Sequence, residues 1–333
     1  TWSLVDACGN AAADQTQMIT ISDNTVPTFT APVAVEIFTD ANCDYDVTVG
    51  STGDVTDEAD NCTSDPQATY ADAAPVAGAC EGSYTIERTW SLVDACGNAA
   101  ADQTQIITVT DNVDPEWTDP SALPVTFEQD VASGECNFDY FVLIPEVSDN
   151  CDANVSVTLT ATDSDNNVLV VQSVGPTSVV TLPVGINTLT LTAVDDCMNE
   201  IVHTWMVTLV DPQDPEIICP DNITISCIDL LPVTYANAFV FQLAGGILGD
   251  NCTVDQSSFD MTSEVTADDA GGSCVDTVKR VYYIEDIYGN SSTCTQLIIV
   301  KDEILPVITD VADITVECGG AVPSCDVSET DIC

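Results

Sequence analysis

The side chains best suited to chemistry in this chain are carboxylates, and they recur in three settings. The triplet Asp-Asn-Cys stands at Asp60-Asn61-Cys62, Asp149-Asn150-Cys151 and Asp250-Asn251-Cys252. A second acidic turn ends in asparagine: Asp94 to Asn98, Asp195-Asp196 to Asn199, and Asp286 to Asn290. A third set precedes a proline: Asp23-Asn24 before Pro27, Asp111-Asn112 and Asp114 before Pro115, Asp211 and Asp214 before Pro215, Asp302-Glu303 before Pro306. Oxygen donors offered by several loops are what Ca²⁺ takes, six to eight of them at about 2.3–2.6 Å. Turn chemistry is the rival explanation, because Asp and Asn side chains bond nearby backbone, and general halophile-type acidity is a third. Catalysis finds little support. His203 is the one histidine and sits in a strand-like run, Ile201–Val207; no Gly-rich phosphate loop or nucleophile elbow occurs. Paired carboxylates hydrolyse glycosides in some enzymes, but acids that recur at intervals of 88 to 101 residues mark a building block. The chain is therefore expected not to be an enzyme.

Charge and cysteine usage narrow the class. There are 55 Asp and Glu against 4 Lys and Arg, a formal net charge of −51. Only Arg88, Lys279, Arg280 and Lys301 could meet phosphates, which excludes nucleic acid and disfavours anionic membrane surfaces. Charge of this size opposes compaction unless cations or salt neutralise it. Sixteen cysteines accompany a single histidine, with no C-x-x-C pair, so zinc-type spacing is absent and disulfides are expected. Disulfides place the chain outside the reducing cytosol, in the extracellular space or on the cell surface. No apolar run is long enough to span a membrane as a helix, so no membrane insertion is expected in this segment. Thr1 in place of an initiator Met points to a piece of a longer exported polypeptide.

The acids sit in a repeat. Residues 1–24 recur at 89–112, and only Met18/Ile106, Ile21/Val109 and Ser22/Thr110 differ. Pro27, Pro115, Pro215 and Pro306 stand 88, 100 and 91 residues apart. The expected division is 1–23, the C-terminal part of a module; three modules at 24–111, 112–211 and 212–302; and 303–333, the N-terminal part of another. Alternating Thr, Val and Ile in Tyr84–Val93, Gln105–Thr110, Ile186–Val194 and Ile201–Val210 predict strands, with Asp, Asn, Gly and Pro between them. Val233–Leu248 is apolar, Gly-interrupted and ambiguous. Trp2 and Trp90 are repeat equivalents in strands and are expected to pack in cores. About seven short strands in each module predict an all-β fold, immunoglobulin-like β-sandwiches arranged end to end.

Seven strands that alternate in direction place the loops after the second and sixth strands at one end, facing the incoming linker. One junction would gather Asp23, Asn24, Asp60, Asp94 and Asn98. The next would gather Asp111, Asn112, Asp114, Asp149, Asp195 and Asp196, and the third Asp211, Asp214, Asp250 and Asp286. Bound Ca²⁺ would resolve the repulsion at each. The same topology predicts disulfides within modules: Cys62–Cys96, Cys151–Cys197, Cys43–Cys80, Cys227–Cys274 and Cys219–Cys294, with Cys136 and Cys252 left over. Four cysteines allow three connectivities, so other pairings stay open.

Asp214 to Ile225 resembles the opening of a hyalin-repeat module, and Leu182 to Asp195 resembles its penultimate-strand signature. The TWSLVDACGN repeat is similar to those of very large Bacteroidota surface proteins, including gliding-type adhesins. The resemblance implies an extracellular immunoglobulin-like module used in adhesion or scaffolding, with no catalysis. The third module departs from the pattern in having Tyr288 where Cys is expected. Two function classes follow. One is a stiff stalk or fibre, held by disulfides and by Ca²⁺ at its junctions, whose partners are neighbouring modules of the same chain. The other is a binding array for surface polysaccharide or other cells. Self-assembly of many chains into a filament is a third arrangement.

Overall fold

The computed structural model describes residues 1–173, 175–227, 230–267, 275–301, 305, 307–308, 313–321 and 329–330. Strands dominate, as the Thr/Val/Ile alternation requires. Three successive sets of strands pair among themselves. The first sheet runs in the order Val35–Phe38, Gln103–Thr110, Tyr84–Ser91, Thr69–Asp72, with Val76–Ala77 also on Tyr84–Ser91. The second has Val168–Ser173, Ser156–Thr162, Gly185–Val194, Glu200–Val210 and Phe127–Asp130 in one sheet, and Thr177–Pro183 with Asn137–Leu143 in another. The third has Ile223–Ile225, Ser291–Lys301, Val275–Asp286 and Val254–Ala267. We refer to these sets as units one, two and three. In each, an early strand lies parallel to the last: Val35–Phe38 on Gln103–Thr110, Phe127–Asp130 on Glu200–Val210, Ile223–Ile225 on Ser291–Lys301.

Unit two shows the sandwich most fully. Val142, Val180 and Leu182 of the smaller sheet bury against Leu159, Leu189, Leu191, Trp205 and Val207 of the larger, in one core. Burial of each such side chain contributes about 1.5–3 kcal/mol. The ambiguous stretch in unit three is resolved as a short helix, Ala238–Leu243. Asn237 caps it by accepting from the Val240 N–H at 2.9 Å, and Phe241 enters a core with Phe259, Tyr282 and Ile284. No helix among the described residues is long and apolar enough to cross a membrane.

Two of the four cations are spent inside. Arg88 is fully buried; its Nε donates to Asp72 at 2.6 Å, Nη1 to Thr52 Oγ1 at 2.7 Å and Nη2 to the Val47 carbonyl at 2.5 Å. Arg280 is also buried and pairs with Glu264. Only Lys279 and Lys301 are left exposed, so the outer surface is almost wholly anionic. Asp72 keeps access to solvent, so what loss of Arg88 strands is the Thr52 hydroxyl and the Val47 carbonyl that it donates to, at a cost of about 1–3 kcal/mol. Arg88→Ala is thus expected to lower the stability of unit one by about that amount, read as a shift in its chemical denaturation midpoint.

Residues 1–23 correct one expectation. Trp90 is 0% exposed and Leu92 1%, yet their repeat equivalents Trp2 and Leu4 are 70% and 72% exposed. The segment forms only two bridges, Trp2 with Gln15 and Val5 with Ala11. A strand pair buries its apolar face only against a second layer, and residues 24–88 supply that layer to 89–111 but not to 1–23.

Candidate metal centres at the unit junctions

The Asp-to-Asn turn is built locally. In each copy the first Asp accepts from the backbone N–H and side-chain amide of the Asn four residues on. Asp94 does so from Asn98 at 2.7 Å in both cases, Asp195 from Asn199 at 2.8 and 2.7 Å, and Asp286 from Asn290 at 2.9 and 2.7 Å. The fourth residue has a left-handed backbone, φ 90° at Gly97, 75° at Met198 and 97° at Gly289, which favours glycine there. Asp6–Asn10 and Asp163–Asn167 make the same turn in exposed places. The turn alone therefore requires no ligand, and the chemistry lies in what it meets.

It meets the linker. The turn amide also donates to a linker carbonyl: Asn98 to Asp23 O at 3.2 Å, Asn199 to Asp111 O at 3.2 Å, Asn290 to Asp211 O at 2.8 Å. The Asp-Asn-Cys loop arrives beside them because the residues after the linker pair with those before the loop. Thr28 bridges Ala59, Glu116–Trp117 pairs with Val147–Ser148, and Glu216–Ile218 pairs with Ile247–Gly249. The loop Asn then donates to the linker Asp: Asn61 to Asp23 at 3.3 Å, Asn150 to Asp111 at 3.4 Å, Asn251 to Asp211 at 3.2 Å.

Carboxylate oxygens converge as a result. One from each of Asp23, Asp60 and Asp94 lie within 4.8 Å of one another, and so do those of Asp111, Asp149 and Asp195. In the third junction Asp211 and Asp250 converge with Cys252. Two oxygens held by one Ca²⁺ at about 2.4 Å each stand at most about 4.8 Å apart, so the spacing fits a shared cation. The loop acids also divide their oxygens in a regular way. One oxygen accepts two backbone N–H groups: Asp60 from Cys62 and Thr63, Asp149 from Cys151 and Asp152, Asp250 from Cys252 and Thr253. The other (Oδ1 of Asp60, Oδ2 of Asp149, Oδ1 of Asp250) is buried with no hydrogen-bond partner, as is Asp23 Oδ2. A buried carboxylate oxygen without a donor is costly, and a cation is the partner the donor set suits.

Two of these acids are held below the ordinary carboxylate value. For Asp60 the main cause is the Thr63 N–H, then that of Cys62. Burial acts to raise Asp94, but hydrogen bonds from Asn98 and Cys96 outweigh it. Depressed acids stabilise the fold above their unfolded pKa, and the contribution is lost as pH falls through the folded value. At Tyr288, which replaces the turn cysteine in unit three, burial and then Asp211, Asp286 and Asp250 push the phenol up.

Other expected ligands lie elsewhere. Asp286 makes the same turn bonds as Asp94, here with Tyr288 and Asn290, but is not in the converging set. Asp196 turns to unit one and accepts from the Glu81 N–H at 3.1 and 2.9 Å. Asp114 borders a cavity with Glu116 and Asp149, and Asp214 one with Glu216 and Asp250. Asn24 and Asn112 are exposed, and Asn98 serves as a donor to the acids. Asp302 and Glu303 lie outside the described residues.

The disulfides depart further from expectation. Cys43 bonds Cys151, Cys80 bonds Cys197 and Cys136 bonds Cys252, at separations of 108, 117 and 116 residues. Cys43–Cys80, Cys151–Cys197 and Cys62–Cys96 are therefore not formed; Cys62 and Cys96 are exposed and unbonded. Cys219–Cys294 forms as expected. Cys227 is buried, and Cys274 lies outside the described residues. The physical reason is that the far end of one unit abuts the linker end of the next. Thr39 donates to Asp111 at 3.0 Å, Asn150 to the Asp40 carbonyl at 2.9 Å, and Asn251 to the Glu135 carbonyl at 3.0 Å. The signal was present in the sequence: pairing within modules leaves one odd cysteine in each of two successive modules, Cys136 and Cys252. Gly82 permits the closest approach. Its φ is 77°, and a Cβ there would stand 2.6 Å from Cys151 Sγ. Gly82→Ala is expected to strain this joint by about 1–3 kcal/mol and slow formation of Cys43–Cys151, read by thiol labelling during oxidative refolding.

No protein-family model matches the chain, and no curated protein matches it. Among solved structures it is similar to Drosophila N-cadherin EC1-4, at 12% identity and a TM-score of 0.29 over 83% of this chain and 75% of that one. It is also similar to the human desmocollin-1 ectodomain, at 13% identity and 0.25 over 92% and 68%. A third is mouse cadherin-23 EC22-24, at 10% identity and 0.26 over 84% and 99%.

Proposed function

We propose that the chain is a non-catalytic spacer, part of an extracellular tandem array of immunoglobulin-like units that acts as a stalk or fibre in adhesion at a cell surface. The observation that carries this reading is the bonding pattern: three disulfides tie one unit to the next, where a free-standing domain would close its own loops. Such bonds serve the joint more than the core. The units are taken as 24–111, 112–211 and 212–302, flanked by the partial units 1–23 and 303–333. Their principal partners are one another; polysaccharide or other cells would be met by the array as a whole.

Each joint would hold a divalent cation, Ca²⁺ above all. The ligands are Asp23, Asp60 and Asp94 at the first, Asp111, Asp149 and Asp195 at the second, and Asp211 and Asp250 at the third. Bound there, the ion supplies positive charge that neutralises the acids and a common centre for three loops. The protein's own part is to aim the loops: the turn amide fixes the linker carbonyl, and the Asp-Asn-Cys amide fixes the linker carboxylate. With only two exposed cations in the chain, the compensating charge comes from solution. Small-angle scattering of the oxidised chain in calcium tests the spacer reading. A single stiff particle whose maximum dimension does not change with temperature below melting is expected. A broad spread of dimensions, as free hinges give, would count against it.

A further inference from the structure

Cys62 and Cys96 occupy the places in unit one that Cys151 and Cys197 hold in unit two. The local presentation is the same. The Cys62 N–H donates to Asp60 at 2.9 Å and that of Cys151 to Asp149 at 2.8 Å; Asn61 reaches Cys62 Sγ at 3.2 Å and Asn150 reaches Cys151 Sγ at 3.3 Å. The Cys96 N–H donates to Asp94, in a turn whose two bonds from Asn98 to Asp94 recur from Asn199 to Asp195. The linker side of the joint is also complete, with Asp23 held by Asn61 and Asn98. What differs is the opposing face. In unit two these two cysteines meet Cys43 and Cys80 at the far end of unit one, whereas in unit one both are exposed and unbonded.

The joint between units two and three shows that the two halves of a staple travel together. Cys136 and Cys252 retain the first staple. The second is missing from both sides: Tyr288 replaces the turn cysteine, and no cysteine precedes Gly185–Val194 where Cys80 precedes Tyr84–Ser91. A cysteine at either position is thus accompanied by a mate one unit away. Unit one carries both.

We propose that the linker end of unit one is a socket for the far end of another unit of this kind, to which Cys62 and Cys96 are joined by disulfides equivalent to Cys43–Cys151 and Cys80–Cys197. This rests on the stapled-array reading and owes nothing to the cation. Each bond forms as two thiols lose two protons and two electrons to a small-molecule disulfide such as glutathione disulfide, which leaves as two thiols.

The test is a longer chain in which a second copy of residues 24–88 precedes Thr1. The copy and residues 1–23 then complete a unit, since the join repeats Arg88-Thr89. Both chains are folded in a glutathione redox buffer, alkylated with iodoacetamide without denaturant, and digested without reductant for mass spectrometry. In the 333-residue chain, alkylation of Cys62 and Cys96 is expected. In the longer chain that alkylation is lost, Cys62 is linked to the added copy of Cys43, and Cys96 to the added copy of Cys80. Changing the added Cys43 to Ser should restore alkylation at Cys62 alone. A Cys62–Cys96 bond in either chain, a bond between the added copies of Cys43 and Cys80, or persistent alkylation at both sites overturns the proposal. So does an added unit that leaves Trp2 as exposed as before, by its fluorescence. Absence of Cys43–Cys151 and Cys80–Cys197 from the 333-residue chain would instead sink the stapled-array reading beneath it.

Discussion

Withdrawing divalent cations is expected to lower the melting temperature of the chain, and the effect of Asp149→Asn to change sign with it. Asn at 149 can still accept from the Cys151 and Asp152 N–H groups through one oxygen, so the loop is kept. What it loses is the second oxygen, which is buried without a partner and belongs to the set formed with Asp111 and Asp195. In chelator, the substitution removes one of three clustered negative charges and raises the melting temperature. In calcium, it removes a ligand and lowers it. An ion that binds only the folded state contributes about 2.7 kcal/mol per site at a hundredfold excess over its Kd. For units of this size, each kcal/mol moves the midpoint by about 4–8 °C. Circular dichroism melts of both proteins in calcium and in chelator read all four values. Melting that ignores the cation, together with a stabilising Asp149→Asn in both buffers, would return these acids to plain turn chemistry.

Reduction of the disulfides uncouples the units before it unfolds them. Each bond contributes about 2–4 kcal/mol by restricting the unfolded chain. Three of them cross a joint, so their loss removes the restraint of one unit on the next while leaving each core intact. Cys219–Cys294 is different. Both of its cysteines pack against the Phe241, Phe259 and Tyr282 core, and its loss destabilises unit three itself. Calorimetry of the oxidised chain is expected to show joined transitions that separate after reduction, with unit three falling furthest. Cys43→Ser with Cys80→Ser should separate only units one and two, and should open the linker around residues 111–115 to proteolysis. Unchanged coupling in that double variant would show that hydrogen bonds and packing alone hold the joint.

Much of this was readable from the residues. Strands at Tyr84–Ser91 and Glu200–Val210 follow from alternation, because side-chain direction in a strand is a local matter. The Asp-to-Asn turn is likewise local: it forms in the same way at Asp6 and at Asp94, although the first is exposed and the second buried. Direction alternating over seven strands also suffices to bring linker, Asp-Asn-Cys loop and turn to one end. Two things lay beyond it. The fates of Trp2 and Trp90 differ despite nearly identical surroundings in sequence, because burial depends on a second layer that only distant residues provide. The cysteine partners differ because a disulfide needs two Cα atoms about 5 Å apart, as at Cys43 and Cys151, and that closeness arises where two units abut. Composition and period determined a repeated, acidic, disulfide-bonded β-chain. Which sulfurs bond was decided by how one unit sits on the next.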